Sequence, residues 1–200
     1  MEPLTRIAGM ERLVAIAEEL DLSDSGTARH CETVARYAEA IARELRLDED
    51  TVEALRLAGL LHDVGKVGVP RSIVRKPGPL SEEEWAAMRD HPRLGADILE
   101  DAGLEDIRDW ILAHHERPDG AGYPRRLSDE EIPLEAKILA VADAYEAMTN
   151  DRCYRAAIGR EEAIAELGRH AGSQFDEVVV DAFVRVLERA SLENGATPSF

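Results

Sequence analysis

The chain has 200 residues, a formal charge of -17 and 44% apolar residues. A chain of this length can bury one core without disulfides or structural zinc, and its apolar content excludes global disorder. Its acidity excludes bulk nucleic-acid binding, and no apolar run approaches the ~20 residues that a membrane span needs.

The stretch Met1 to Leu20 carries Glu2, Glu11, Glu18 and Glu19 and lacks the basic-then-apolar signature of a signal peptide, so a cytoplasmic location is expected. Leu13, Ile16, Ala17 and Leu20 recur at helical spacing and predict a short helical lead over residues 1–25. Val34, Tyr37, Ala38, Ile41 and Leu45 predict a longer helix over about 27–46. Val52, Leu55 and the run Leu57 to Leu61 predict a third, stopped by Gly65, Gly68 and Pro70. Ser81 and Glu84 form a capping box that opens a helix through Trp85 and Met88. Pro92 suits the first turn of the next helix, where its missing N–H costs nothing. Ile107, Ile111 and Leu112 mark another, ending near His115. Residues 117–133 are rich in Gly, Pro and charge and form the longest break, the kind that is usually functional or disordered. Ile138, Val141, Ala142, Tyr145 and Met148 make a strong stripe. Ile164 with Leu167, then Val179, Phe183, Val184 and Leu187, predict the last two helices. From Leu192 a polar tail is expected to fray. No segment alternates with period two, so the expected fold is all-α, one domain over 26–191.

Five of the six histidines fall in order with two aspartates: His30, His62-Asp63, His91, His114-His115 and Asp143. Each sits on a predicted helix or at its end. Imidazole and carboxylate suit Fe, Mn, Zn or Ni, and Cys31 and Cys153 offer no thiolate spacing. Seven such side chains exceed one tetrahedral zinc and suit two octahedral ions with a bridging carboxylate, the usual apparatus of phosphoester hydrolysis. A lone helical histidine is most often a surface or satisfied core residue, so the weight rests on the set. Leu60 to Lys66 adds to it, because His62 and Asp63 follow a buried apolar run, where unpaired burial is costly and a metal offsets the cost. Asp143 lies inside the most apolar helix of the chain. Basic residues gather at Lys66, Arg71, Arg75 and Lys76, at Arg125 and Arg126, and at Arg152 and Arg155; ordinary surface accounts for most of them.

His30, His62-Asp63 and Asp143 resemble the H…HD…D pattern of the HD phosphohydrolase superfamily. His91, His114-His115 and the run His115 to Pro124 resemble its HD-GYP subgroup, as do Lys76 to Leu80 and Asp151 to Arg155. The resemblance runs from about Thr27 to Leu187. It implies an all-helical fold with an embedded metal centre, often iron or manganese, that hydrolyses cyclic di-GMP to pGpG or GMP. Carried over, one ion takes His30, His62, Asp63 and Asp143. The other takes His91, His114 and His115, with Asp63 bridging. Asp63 and Lys66 are then the catalytic pair, and Lys66, Tyr123, Arg152 and Arg155 contact substrate. Gly26 stands where some members carry a glutamate for a third metal, so two divalent ions are expected. Cys153 replaces the family's proline between the arginines, which leaves that loop looser. A hydroxide shared by two metals would attack phosphorus, with Lys66 and the arginines stabilising the developing charge. Three alternatives stand beside this reading: hydrolysis of another nucleotide or cyclic dinucleotide, a non-catalytic dinucleotide-binding module, and a structural adaptor. A sensory domain or a diguanylate cyclase is the candidate protein partner, and residues 1–25 are too short to be that sensory domain.

Overall fold

The computed structural model describes residues 27–151 and 156–195. The lead helix expected over 1–25, the segment Arg152 to Arg155 and the end of the tail lie outside the described residues. Among the described residues, nine helices and two 3-10 turns make up the regular structure and no strand occurs. The all-α expectation is borne out.

Helix α1 (Thr27–Glu44) buries Val34, Ala38 and Ile41, the apolar stripe read from the sequence. Helix α2 (Glu49–Leu61) starts at Asp48, whose carboxylate accepts the Thr51 amide at 2.9 Å, and buries Val52, Leu55 and Ala58. A short turn joins the two helices, so they run antiparallel and their far ends meet. At the crossing the backbones nearly touch, because a Cβ on Gly59 would lie 2.5 Å from the Ala35 Cα. The glycine permits an approach that no side chain would. His30, five residues before Ala35, and His62, three after Gly59, thereby share one end of the pair.

The expected stop after α2 is more structured than a break. Val64–Gly68 forms a 3-10 turn, and Pro70 opens a four-residue helix, α3 (Arg71–Val74). Helix α4 (Glu82–Met88) begins with the capping box read from the sequence: Ser81 Oγ accepts the Glu84 amide, and Glu84 accepts the Ser81 amide at 2.7 Å. Helix α5 (His91–Asp101) has Pro92 in its first turn. The 3-10 turn is pressed onto α5 at Gly65, where any Cβ would meet the His91 carbonyl and the Gly95 amide. Helix α6 (Glu105–Ala113) follows, ending one residue before His114.

Helix α7 (Leu134–Thr149) is the spine of the domain, burying Ile138, Leu139, Val141 and Tyr145. Helix α8 (Arg160–Arg169) and helix α9 (Glu177–Gly195) close it. Helix α9 runs to Gly195, four residues into the run read as a tail. Tyr37, Tyr145 and Phe183 lock α1, α7 and α9 through edge-to-face contacts, with ring centroids 4.9–5.4 Å apart.

The long loop is held by a carboxylate. Glu116 is buried and accepts the amides of Arg125 at 2.6 Å and Leu127 at 3.0 Å. Lys137 then ties the loop to the start of α9 by bridging Asp129 and Asp176. The loop is therefore an ordered wall beside the ends of α4 and α6.

Candidate metal centre

Three histidines point inward for one reason. The last carbonyls of a helix have no partner within it. His62 Nδ1 donates to the Gly59 carbonyl at 2.9 Å, and His114 Nδ1 donates to the Ile111 carbonyl at 2.6 Å. His91 Nδ1 donates to the carbonyl of Met88, the last residue of α4, at 2.8 Å. A carbonyl only accepts, so each Nδ1 carries the proton and each Nε2 presents a bare lone pair. His30 lies in the first turn of α1 and uses a side chain instead, with Nδ1 on Glu146 of α7.

The Nε2 atoms converge on Asp63, which is buried. Its Oδ2 lies 3.7 Å from His30 Nε2 and 3.5 Å from His62 Nε2. Its Oδ1 lies 3.5 Å from His91 Nε2 on the other side. Asp143 Oδ1 joins the first group, 3.3 Å from His30 Nε2 and 3.9 Å from His62 Nε2. His30, His62 and Asp143 thus offer three donor atoms within 4.8 Å of one another, and His91, His114 and His115 offer three more. The seven residues singled out in the sequence come together, with Asp63 between the two groups.

Electrostatics divides the groups. Burial, reinforced by neighbouring imidazoles, pushes His91 and His114 below the usual histidine range, and His115 down to about 3. Those three are neutral imidazoles. Burial also opposes charge on His30, but hydrogen bonds to Asp143 and Glu146 outweigh it and raise its pKa to about 9. Burial would lift both aspartates, yet Lys66 and the histidines hold Asp63 well below the carboxylate range, and His30 does the same for Asp143.

These residues fit a divalent metal. The Nε2 atoms of His91 and His114 are buried with no hydrogen-bond partner, the only such side-chain atoms found among the described residues. An orphaned buried polar atom costs about 1–3 kcal/mol, and a coordinate bond removes that cost.

Lys66 donates to Asp63 Oδ2 at 2.5 Å, so its ammonium sits at the rim of the first group. Tyr123 stacks on His115 with centroids 4.8 Å apart, and its amide donates to the His115 carbonyl. Arg152 and Arg155 lie outside the described residues. Two residues escaped the sequence reading. Glu146 follows Asp143 by three positions, a spacing that shares one helix face and was the available signal. Glu116 sits inside the recognised run His115 to Pro124, and nothing in the sequence marks it as buried.

The HD domain family model matches residues 14–179, and the chain belongs to that family. It is 40% identical over 186 residues to the cyclic di-GMP phosphodiesterase response regulator RpfG of Xanthomonas campestris, covering 92% of this chain and 49% of the relative. It is 42% identical over 170 residues to a cyclic di-GMP phosphodiesterase of Pseudomonas aeruginosa, covering 84% and 41%. The HD-GYP resemblance is borne out. The chain spans about half the length of these relatives or less. The fold is similar to a cyclic GMP-AMP specific phosphodiesterase of Vibrio cholerae, with TM-score 0.70 at 20% identity, covering 94% of this chain and 51% of the other. Among the described residues, no helix is long and apolar enough to cross a membrane.

Proposed function

We propose that this chain is a cytoplasmic, metal-dependent phosphodiesterase that hydrolyses cyclic di-GMP to pGpG or GMP. The catalytic domain is residues 26–191. The observation that carries this reading is Asp63, whose two carboxylate oxygens face two separate histidine groups. A bridging carboxylate between two donor sets suits two divalent ions; this mix of imidazole and carboxylate suits Fe, Mn, Zn or Ni, and the resemblance to the HD-GYP family favours iron or manganese. His30, His62, Asp63 and Asp143 hold one, and His91, His114 and His115 hold the other with Asp63. Bound ions would supply Lewis acidity and lower the pKa of water.

The chain's own groups do the rest. The backbone-locked imidazoles keep their lone pairs fixed, so little reorganisation is needed when substrate arrives. Lys66 brings a compact positive charge to the rim, where it meets a phosphoryl oxygen. Arg152 and Arg155, just after α7, clamp phosphate through their planar forks. Tyr123 forms the wall beside His115 and orients the substrate. A sensory domain or a diguanylate cyclase remains the proposed protein partner.

The test is product chromatography on metal-loaded protein, with metal content measured in parallel. Two ions per chain and conversion of cyclic di-GMP are expected, and the His62-Asp63 to Ala-Ala variant should lose both while keeping its helical circular dichroism. Normal turnover by that variant would sink the metal assignment. Preferred turnover of cyclic GMP-AMP would transfer the proposal to a hybrid dinucleotide.

A further inference from the structure

A cleft of about 390 Å³ opens between α4 and the ordered loop, one ring away from the metal centre. Arg89, Asp90, Tyr123, Pro124 and Arg126 line it with two alanines of α4. Tyr123 is the shared wall, its ring tilted on His115 on one side and bordering the cleft on the other. A ligand in the cleft is therefore adjacent to whatever the histidines hold.

Three features give the cleft a chemistry. The Arg89 guanidinium lies over the Trp85 ring and over the Tyr123 ring, 5.7 Å from each centroid. The two ring contacts restrain the position of the guanidinium without engaging a carboxylate. Arg126 has φ 56, a left-handed conformation that a non-glycine residue adopts at a cost, and it lines the same cleft. Among the described residues neither arginine has a carboxylate partner, whereas Asp90 is engaged by Arg93 at 2.7 Å. The remaining apolar lining is two alanines and the Pro124 ring, with the Tyr123 ring at the border.

Two arginine forks beside the Pro124 ring and two alanines match a planar base with two acceptors on one edge. We propose that this cleft is a nucleobase subsite in which Arg89 and Arg126 read the O6/N7 edge of a guanine. The inference rests on the proposed phosphodiesterase function and deepens it by naming what selects the substrate. Guanine presents two acceptors on that edge, which suit a guanidinium fork. Adenine presents one acceptor and one amino donor there, and the donor would face donors. Phosphate fits less well, since Pro124 and the alanines offer it nothing and the charged groups around Asp63 already serve it. The base and phosphate of one nucleotide are joined through a single sugar, which suits a cleft one ring from the centre.

The test compares wild type, Arg89→Ala, Arg89→Gln and Arg126→Ala as metal-loaded protein. Values of kcat/KM are measured with cyclic di-GMP and cyclic di-AMP, and equilibrium binding with GMP and AMP. Wild type should prefer guanine in both assays. The alanine variants should lose about 5- to 150-fold on guanine ligands, mainly in KM, with adenine ligands nearly unaffected and metal content unchanged. Arg89→Gln should move the preference toward adenine, because glutamine pairs with the adenine edge. Equal losses on both bases would make these arginines phosphate contacts and overturn the proposal, as would no loss on either. A wild type that binds GMP over AMP through Arg89 but cleaves no cyclic dinucleotide would refute the phosphodiesterase reading and leave the subsite standing.

Discussion

Gly65 joins the fold to the metal centre, so Gly65→Ala should damage both. Its Cβ would lie 1.9 Å from the His91 carbonyl oxygen and 2.4 Å from the Gly95 nitrogen, where real Cβ contacts do not fall under 3.0 Å. Relief requires roughly 1 Å of main-chain movement between the 3-10 turn and α5, because neither obstacle is a side chain able to rotate away. Overpacking costs about 1–3 kcal/mol, and two main-chain obstacles argue for the upper end. For a domain of this size that is a fall in Tm of about 6–12 °C. The same movement separates His91 from Asp63, now 3.5 Å apart from Nε2 to Oδ1. Coordination tolerates deviations of about 0.2 Å, so the His91 group should lose its ion first. Thermal melts of metal-free protein and metal analysis of loaded protein read the two effects separately. Gly78→Ala serves as the control, because nothing lies within 4 Å of its Cβ. A Gly65→Ala protein with the melting temperature and metal content of that control would refute the reasoning.

Glu146→Gln should lower metal affinity about 10- to 100-fold, since groups that orient a ligating histidine typically matter by that much; a metal titration indistinguishable from wild type would remove Glu146 from the site. Arg152→Ala should reduce kcat/KM on cyclic di-GMP about 10- to 150-fold, the loss expected for one charge-assisted hydrogen bond, with metal content unchanged. Activity within twofold of wild type would place the phosphate clamp on another residue.

The helices were legible because each buries one stripe and begins or ends on recognisable chemistry. Ser81 with Glu84 announced α4, and Pro92 announced α5. The seven donor residues were legible for a different reason: histidine and aspartate are expensive to bury, so their appearance after Leu60-Leu61 and within α7 stands out. What stayed hidden depends on three-dimensional accident. Glu116 has the composition of a surface residue, and only the returning loop turns it into a buried acceptor. Arg89 is one arginine among many until Trp85 and Tyr123 flank it. The role of Gly59 is also invisible, since a glycine near a helix end reads as a stop signal and here marks the closest approach of two helices. The short helix α3 was missed because Gly65, Gly68 and Pro70 read as breakers, although proline at a helix start is compatible with one.

The histidines held by helix-end carbonyls have an evolutionary consequence. His62, His91 and His114 take their orientation from the main chain at Gly59, Met88 and Ile111. Every residue type supplies that carbonyl, so point mutations at the three supporting positions leave the orienting bond in place while the helices persist. His30 alone among these four depends on a supporting side chain. Among the groups that accept a hydrogen bond from these four histidines, Glu146 is therefore the one whose side chain sets the orientation. Drift across a lineage can change the side chains at Met88 and Ile111 without removing the orienting carbonyls, while Gly59 is held by the close approach of Ala35; among these supports, variation that adjusts the metal rather than abolishing it should collect at Glu146.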